Sequence, residues 1–195
     1  MISSKINASY HPNMRDSSIC NMLESALSAA NVEVYDLAQE KADLRGMGTT
    51  VVCAVIRGGQ AFIAHAGDSR AYLFSADGLQ QVTTDHSMVQ DLLESGKITP
   101  DEAKHHPNKN IITRAIGVDS AIKIDFDRST LATARCCYCV RTVFPTMWTM
   151  TRWSAPSVTV SIMPMRIDWC SRPTKTAAVI ILPLLPSAIK RSEQI

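Results

Sequence analysis

Apolar residues recur every three or four positions from Ser18 to Lys41 (Ile19, Met22, Leu23, Ala26, Leu27, Ala30, Val34, Leu37 and Ala38). This is the stripe of a helix laid on a core, and Gly46 and Gly48 close it. TTVVCAVIR, residues 49–57, is apolar on both faces and predicts a central strand covered on each side. Gly58-Gly59 signals a two-residue turn, after which QAFIAHA continues as an antiparallel strand. GDS at 67–69 reverses the chain into RAYLF, and SADG at 75–78 reverses it again before LQQVT. Four short strands in meander order behind a helix predict a sheet with a helix on one face, or half of a sandwich.

Past Asp85-His86-Ser87 the period turns helical, with Met88, Val89, Leu92 and Leu93 on one side and Gly96 at the end. Thr99-Pro100-Asp101-Glu102 combines an N-cap, a proline at the first helical position and a glutamate three residues after the cap, which starts a second short helix. The pair reads as an insertion. NIITRAIG and AIKIDFD return to strand-like character. Beyond Arg128 no element is predicted, because neither a helical period nor a steady alternation persists.

Composition changes at the same place. The chain has 195 residues, 46% hydrophobic and 19% charged, with a formal net charge of +2, which suits one globular domain. Residues 1–128 hold 16 acidic and 12 basic side chains, whereas 129–195 hold 2 acidic and 8 basic, so the net charge passes from −4 to +6. All three Trp and four of the six Cys (Cys136, Cys137, Cys139, Cys170) lie in the second stretch. No concentrated basic face is present for nucleic acid. The opening residues lack the apolar run of a signal peptide, so a cytoplasmic, thiol-reducing setting is expected. AAVIILPLLPSAI at 177–189 is too short for a bilayer and holds Pro183 and Pro186, so no membrane span is expected.

GMGTT at 46–50, AHAGDSRAYLF, TTDHSMVQDLLESGKITPDEA and NIITRAIG stand in an order and spacing that resemble the bacterial PPM (PP2C-like) family of metal-dependent protein serine/threonine phosphatases. GDSR alone is four common residues, but four segments in register carry the resemblance over roughly 20–128. It implies an α+β fold, a partial PP2C-like α-β-β-α sandwich of antiparallel sheets flanked by helices. It also implies two Mn²⁺ or Mg²⁺ ions held by aspartates, with a metal-bridging water attacking phosphorus. On this basis 1–17 is an unmatched N-terminal segment, 18–128 the central part of a phosphatase domain with a flap subdomain at about 86–110, and 129–195 a tail foreign to the family.

Asp68 matches the family's GDSR aspartate and is the candidate metal ligand, in the position that helps hold an additional ion. Read locally, Asp68 is a turn residue whose carboxylate accepts from backbone amides, and one carboxylate can serve both ends. Arg70 reads as an ion-pair partner rather than a phosphate ligand. His86 reads as a structural loop histidine at the root of the flap. His105-His106 suits a helix C-terminus and is not expected to bind metal. No catalytic residue is assigned. The family's opening segment, with its substrate arginine and first metal aspartate, has no counterpart in 1–16, and the later aspartates of CSDG-like and GGRDNITV-like motifs are absent from the tail as spelled.

The genetic code offers an origin for the tail. Read from the third base of each codon, Cys139 to Val143 can encode Cys-Ser-Asp-Gly, and the preceding run from Cys136 permits Leu-Leu-Leu. Residues 143–149 permit Leu-Ser-Asn-Tyr-Val-Asp in the same frame, with its valine forced by Met147 and Trp148. At one common offset, PTKTAAVIILPL at 173–184 permits Asn-Glu-Asp-Gly-Gly-Arg-Asp-Asn-Ile-Thr-Val. Residues from about 129 onward are therefore expected to be an out-of-frame translation and disordered. A zinc site in CCYC is disfavoured, since structural zinc uses paired ligands with spacers.

The expected function is by resemblance that of a protein serine/threonine phosphatase acting on phosphorylated proteins, with a serine/threonine kinase and its substrates as partners, in a monomer. This chain is expected to be inactive or severely impaired. The alternative is a pseudophosphatase that uses the flap as a binding module. The gene decides the frame displacement: codons 139–143 are expected to spell Cys-Ser-Asp-Gly from each third base, and any other spelling removes the idea.

Overall fold

The computed structural model describes residues 2–75, 78–130, 134–140, 167–168 and 178–181. Two helices, α1 (Ile2–Ser9) and α2 (Asp16–Glu40), precede a 3-10 turn at Ala42–Leu44. Strands β1 (Val51–Arg57), β2 (Gln60–Ala66), β3 (Arg70–Ser75) and β4 (Gly78–Gln81) follow. Then come α3 (Met88–Glu94), α4 (Pro100–His105), β5 (Asp125–Thr130), β6 (Ala134–Val140), β7 (Ile167–Asp168) and β8 (Ala178–Ile181).

The four expected strands form, but not as one meander. One sheet runs β5-β2-β1-β8 and the other β4-β3-β6-β7. The hairpin at Gly58-Gly59 pairs β1 with β2, from Val51 opposite Ala66 to Arg57 opposite Gln60, whereas GDS carries the chain from the first sheet to the second. The architecture is a partial α-β-β-α sandwich, an α+β fold.

Alternation within β1 and β2 explains why both of their faces are apolar. Val51, Cys53, Val55, Phe62, Ala64 and Ala66 pack with Ile19, Met22, Leu23, Ala26 and Leu27 of α2 and with Ile6 of α1. Val52, Ala54, Ile56, Ala61 and Ile63 pack instead with Ala71 and Leu73 of β3. A strand with helices below and a second sheet above has no solvent face on which to place polar residues. The buried thiol of Cys53 is pushed up to about 12 by burial.

One polar residue interrupts the apolar stripe of α2. Asn31 is 1% exposed. Its Oδ1 accepts from the Gly117 amide at 2.7 Å, and its Nδ2 donates to the carbonyls of Asp119 at 2.9 Å and Ser120 at 3.3 Å. The helix thereby holds the turn before β5. Gly117 is required there, because its φ is +83° and a Cβ would meet Val34 Cγ1 at 2.2 Å.

NIITRAIG forms no strand. It contributes isolated bridges, Ile112 to Ser87 and Ile116 to Thr49, and AIKIDFD becomes strand only from Asp125. The segment 1–17 supplies α1 and the fully buried Ile6. Beyond 128, where the pattern predicts no element and 129–195 is expected to be disordered, the end of β5 and strands β6, β7 and β8 are found instead; the rest of 129–195 lies outside the described residues. The side chains of Cys136, Cys137, Cys139 and Cys170 lie outside them too. Among the described residues no helix is long and apolar enough to cross a membrane.

Leu23 is 0% exposed at the centre of the helix-facing core. Leu23→Ala is expected to cost about 2–5 kcal/mol, as truncation of a fully enclosed leucine does, and urea unfolding of the two proteins measures it.

Candidate functional site

The residues marked out by the sequence meet where β2 crosses to β3. The crossing takes the three residues 67–69, so the backbone turns hard. Gly67 has φ +110°, and a Cβ there would lie 2.3 Å from Thr50 Cγ2, a position only glycine can occupy. Thr50, just before β1, shares a 2.7 Å hydrogen bond between its Oγ1 and Ser69 Oγ. Asp68, partly buried, stands at the tip of this turn.

Asp85-His86-Ser87, all buried, clasp the turn from the other side. Arg70 Nε and Nη2 donate to Asp85 Oδ1 at 2.7 Å and Oδ2 at 2.6 Å, a bidentate pairing that also holds the Arg70 pKa above its ordinary value. Arg70 is thus the ion-pair partner its sequence position suggested. The His86 amide donates to the Gly67 carbonyl at 2.9 Å, and the Gly67 amide donates to His86 Nδ1 at 3.0 Å. Ser87 Oγ accepts from the Gln90 amide at 3.2 Å and caps α3. At the far root of the flap the Thr113 amide donates to the His86 carbonyl at 2.9 Å.

Several partners were not singled out as candidates in the sequence. His65, on the inter-sheet face of β2, stacks on His86 with ring centroids 4.7 Å apart and planes 19° from parallel. Strand β5 pairs with β2 so that Asp125 stands opposite His65. Asp125 Oδ2 lies 3.0 Å from His86 Nε2 and 3.0 Å from Arg114 Nη1, and Asp127 Oδ2 lies 3.3 Å from His65 Nε2. A histidine on an otherwise apolar strand was the available signal, but the register that brings two aspartates to it is invisible in one sequence. His106 caps α4, and its Nδ1 accepts from the Asn108 amide at 3.1 Å.

Burial lowers the His86 pKa, against the pull of Asp125 and with the help of the nearby Arg114 cation. For Asp125 burial acts upward, but hydrogen bonds from His86 and Arg114 outweigh it and hold the carboxylate below its ordinary range. A neutral imidazole beside an ionised carboxylate and a guanidinium is therefore the resting arrangement.

Two divalent ions in an oxygen cage call for several converging carboxylates. Among the described residues no three His, Cys, Asp or Glu side chains stand together so as to hold a metal ion. The described residues thus do not fit a two-ion centre.

The family model described as Protein phosphatase 2C matches residues 5–120. The serine/threonine phosphatase stp of Listeria innocua is 43% identical over 103 residues, which are 53% of this chain and 41% of that protein. Protein phosphatase PhpP of Streptococcus pneumoniae is 46% identical over 100 residues, 51% of this chain and 40% of that protein. The chain thus spans about two fifths of the length of these curated relatives. Among solved structures, serine/threonine phosphatase Stp1 from Staphylococcus aureus superposes with a TM-score of 0.65 at 34% identity, covering 71% of this chain and 55% of that one. The Mycobacterium tuberculosis serine/threonine phosphatase PstP/Ppp gives 0.58 at 28% identity over 71% of this chain and 60% of that one.

The lowered His86 pKa sets a pH dependence. Unfolding takes up a proton below 6.5, the ordinary value, so the stability from neutral His86 is complete above that pH and is lost as pH falls below it. The Asp125 share is lost only lower, in the carboxylate range. Thermal melts from about pH 8 to about pH 5 are expected to show a falling midpoint below 6.5 and a shallower fall in His86→Asn.

Proposed function

The chain belongs to the protein phosphatase 2C family, and on that footing we propose that it stems from a metal-dependent protein serine/threonine phosphatase, while this 195-residue polypeptide hydrolyses phosphate esters feebly or not at all. The observation that carries the second half is the contrast at the sheet crossing. The Asp68 turn is built and clasped, yet no cluster of metal-holding side chains gathers around it among the described residues. The names of the relatives support phosphoserine and phosphothreonine proteins as the substrate class of the parent activity; Mn²⁺ or Mg²⁺ as its cofactor and a serine/threonine kinase as its counterpart are what the family resemblance implies.

A frame displacement from about residue 129 accounts for the missing carboxylates, and the sheet register supports it. Strand β6 pairs with β3 so that Val140 lies opposite Arg70, two residues past Asp68. The Ser-Asp-Gly of the displaced reading is spelled from Val140 onward. In the displaced frame the carboxylate would therefore leave β6 at the end of the sheet where Asp68 stands.

Hydrolysis of p-nitrophenyl phosphate with Mn²⁺ tests the proposal. The purified polypeptide is expected to match the buffer blank, and Mn²⁺-dependent turnover abolished by Asp68→Ala overturns it. The pseudophosphatase reading draws on one observation, the flap anchored at both roots through Asp85, Ser87 and Thr113. It requires a cooperative far-UV circular dichroism melt in the protein that fails to turn over.

A further inference from the structure

We propose that His86 is a positioning residue, a fixed Nε2-protonated imidazole that ties the turn at 67–69, in which Asp68 stands, to β5. The hydrogen bonds dictate the tautomer. The Gly67 amide donates to Nδ1 at 3.0 Å, so Nδ1 carries no proton and the proton of the neutral ring is on Nε2. That proton faces Asp125 Oδ2 at 3.0 Å. Arg114 Nη1 is 3.1 Å from the same nitrogen, but two donors cannot bond each other, and the guanidinium finds its acceptor in Asp125 Oδ2 at 3.0 Å.

Each part of the ring is thus engaged. One edge takes the Gly67 amide, the other donates to Asp125, and one face lies on His65. The His86 backbone amide also donates to the Gly67 carbonyl, so both polar groups of Gly67 are satisfied by a single residue. A ring flip would present carbon to the buried Gly67 amide and leave it without an acceptor, a loss that burial makes costly.

The bearing of this clamp on chemistry rests on the reading of Asp68 given above; the clamp itself does not. Long-range ¹H–¹⁵N correlation on the histidine-labelled full chain at neutral pH is expected to show His86 with Nε2 protonated and Nδ1 bare, and a proton on Nδ1 overturns the proposal. Amide exchange then compares two variants. His86→Asn keeps an acceptor near the Nδ1 position, whereas His86→Gln keeps only the far amide. The Gly67 amide is expected to exchange about tenfold faster in His86→Gln than in His86→Asn, the effect of one lost hydrogen bond, while the Cys53 and Val55 amides of β1 exchange alike in both. Equal exchange at Gly67, or β1 loosening along with it, overturns the clamp. Phosphatase turnover enters neither measurement, so failure of the clamp and failure of the proposed function are told apart.

Discussion

The structure depends on a three-residue crossing between two sheets. Stacked sheets lie about 10 Å apart, and the chain passes from Ala66 at the end of β2 to Arg70 at the start of β3 within 67–69. The conformation that achieves this leaves no room for a side chain at Gly67 and puts backbone polar groups into the interior. Such groups need partners, because an unmet buried donor costs more than a made bond contributes. His86 meets both polar groups of Gly67, while Asp85 pairs with Arg70 and Ser69 with Thr50, so these polar residues are buried at one end of an otherwise apolar core.

The same contacts hold the flap. Helices α3 and α4 have seven and six residues, too short to persist alone in water. Each is started by a side-chain cap, Ser87 for α3 and the Thr99–Glu102 capping box for α4. The flap roots are then laced together where Met88 donates to Ile111 and Thr113 to His86. One tripeptide, Asp85-His86-Ser87, therefore serves the crossing and the flap together, so a substitution there strikes both.

Periodicity made the local elements legible. The stripe read from Ser18 to Lys41 gave α2 within two residues at either end, and the Gly58-Gly59 turn gave a true hairpin. The division into two sheets was not legible, because a Gly-Asp-Ser reversal reads the same whether the next strand pairs with its predecessor or crosses to another layer. Partners distant in sequence were hidden for the same reason. Asp125 and Asp127 look like the polar half of an alternating strand until the β2–β5 register sets them beside His65. Asn31 was lost within an apolar helix face, since only the turn at Gly117 shows what its amide is for. NIITRAIG misled in the opposite sense, being apolar enough for a strand while serving through isolated bridges.

Strand pairing and metal chemistry differ in how much a shift of reading frame removes. Backbone pairing asks for little more than residues that tolerate an extended chain, and ARCCYCV, with its Cys, Tyr and Val, meets that demand; β6 pairs with β3. A two-ion centre asks for carboxylates at set positions, and no other residue type stands in for them. Under the proposed displacement the codons that would spell Ser-Asp-Gly are read here as Val140, Arg141, Thr142 and Val143. Such a change would take away the carboxylates while leaving the strand before them in register, and so would account for an Asp68 turn that is clamped by His86 and joined to a second sheet with no metal-holding cluster around it among the described residues.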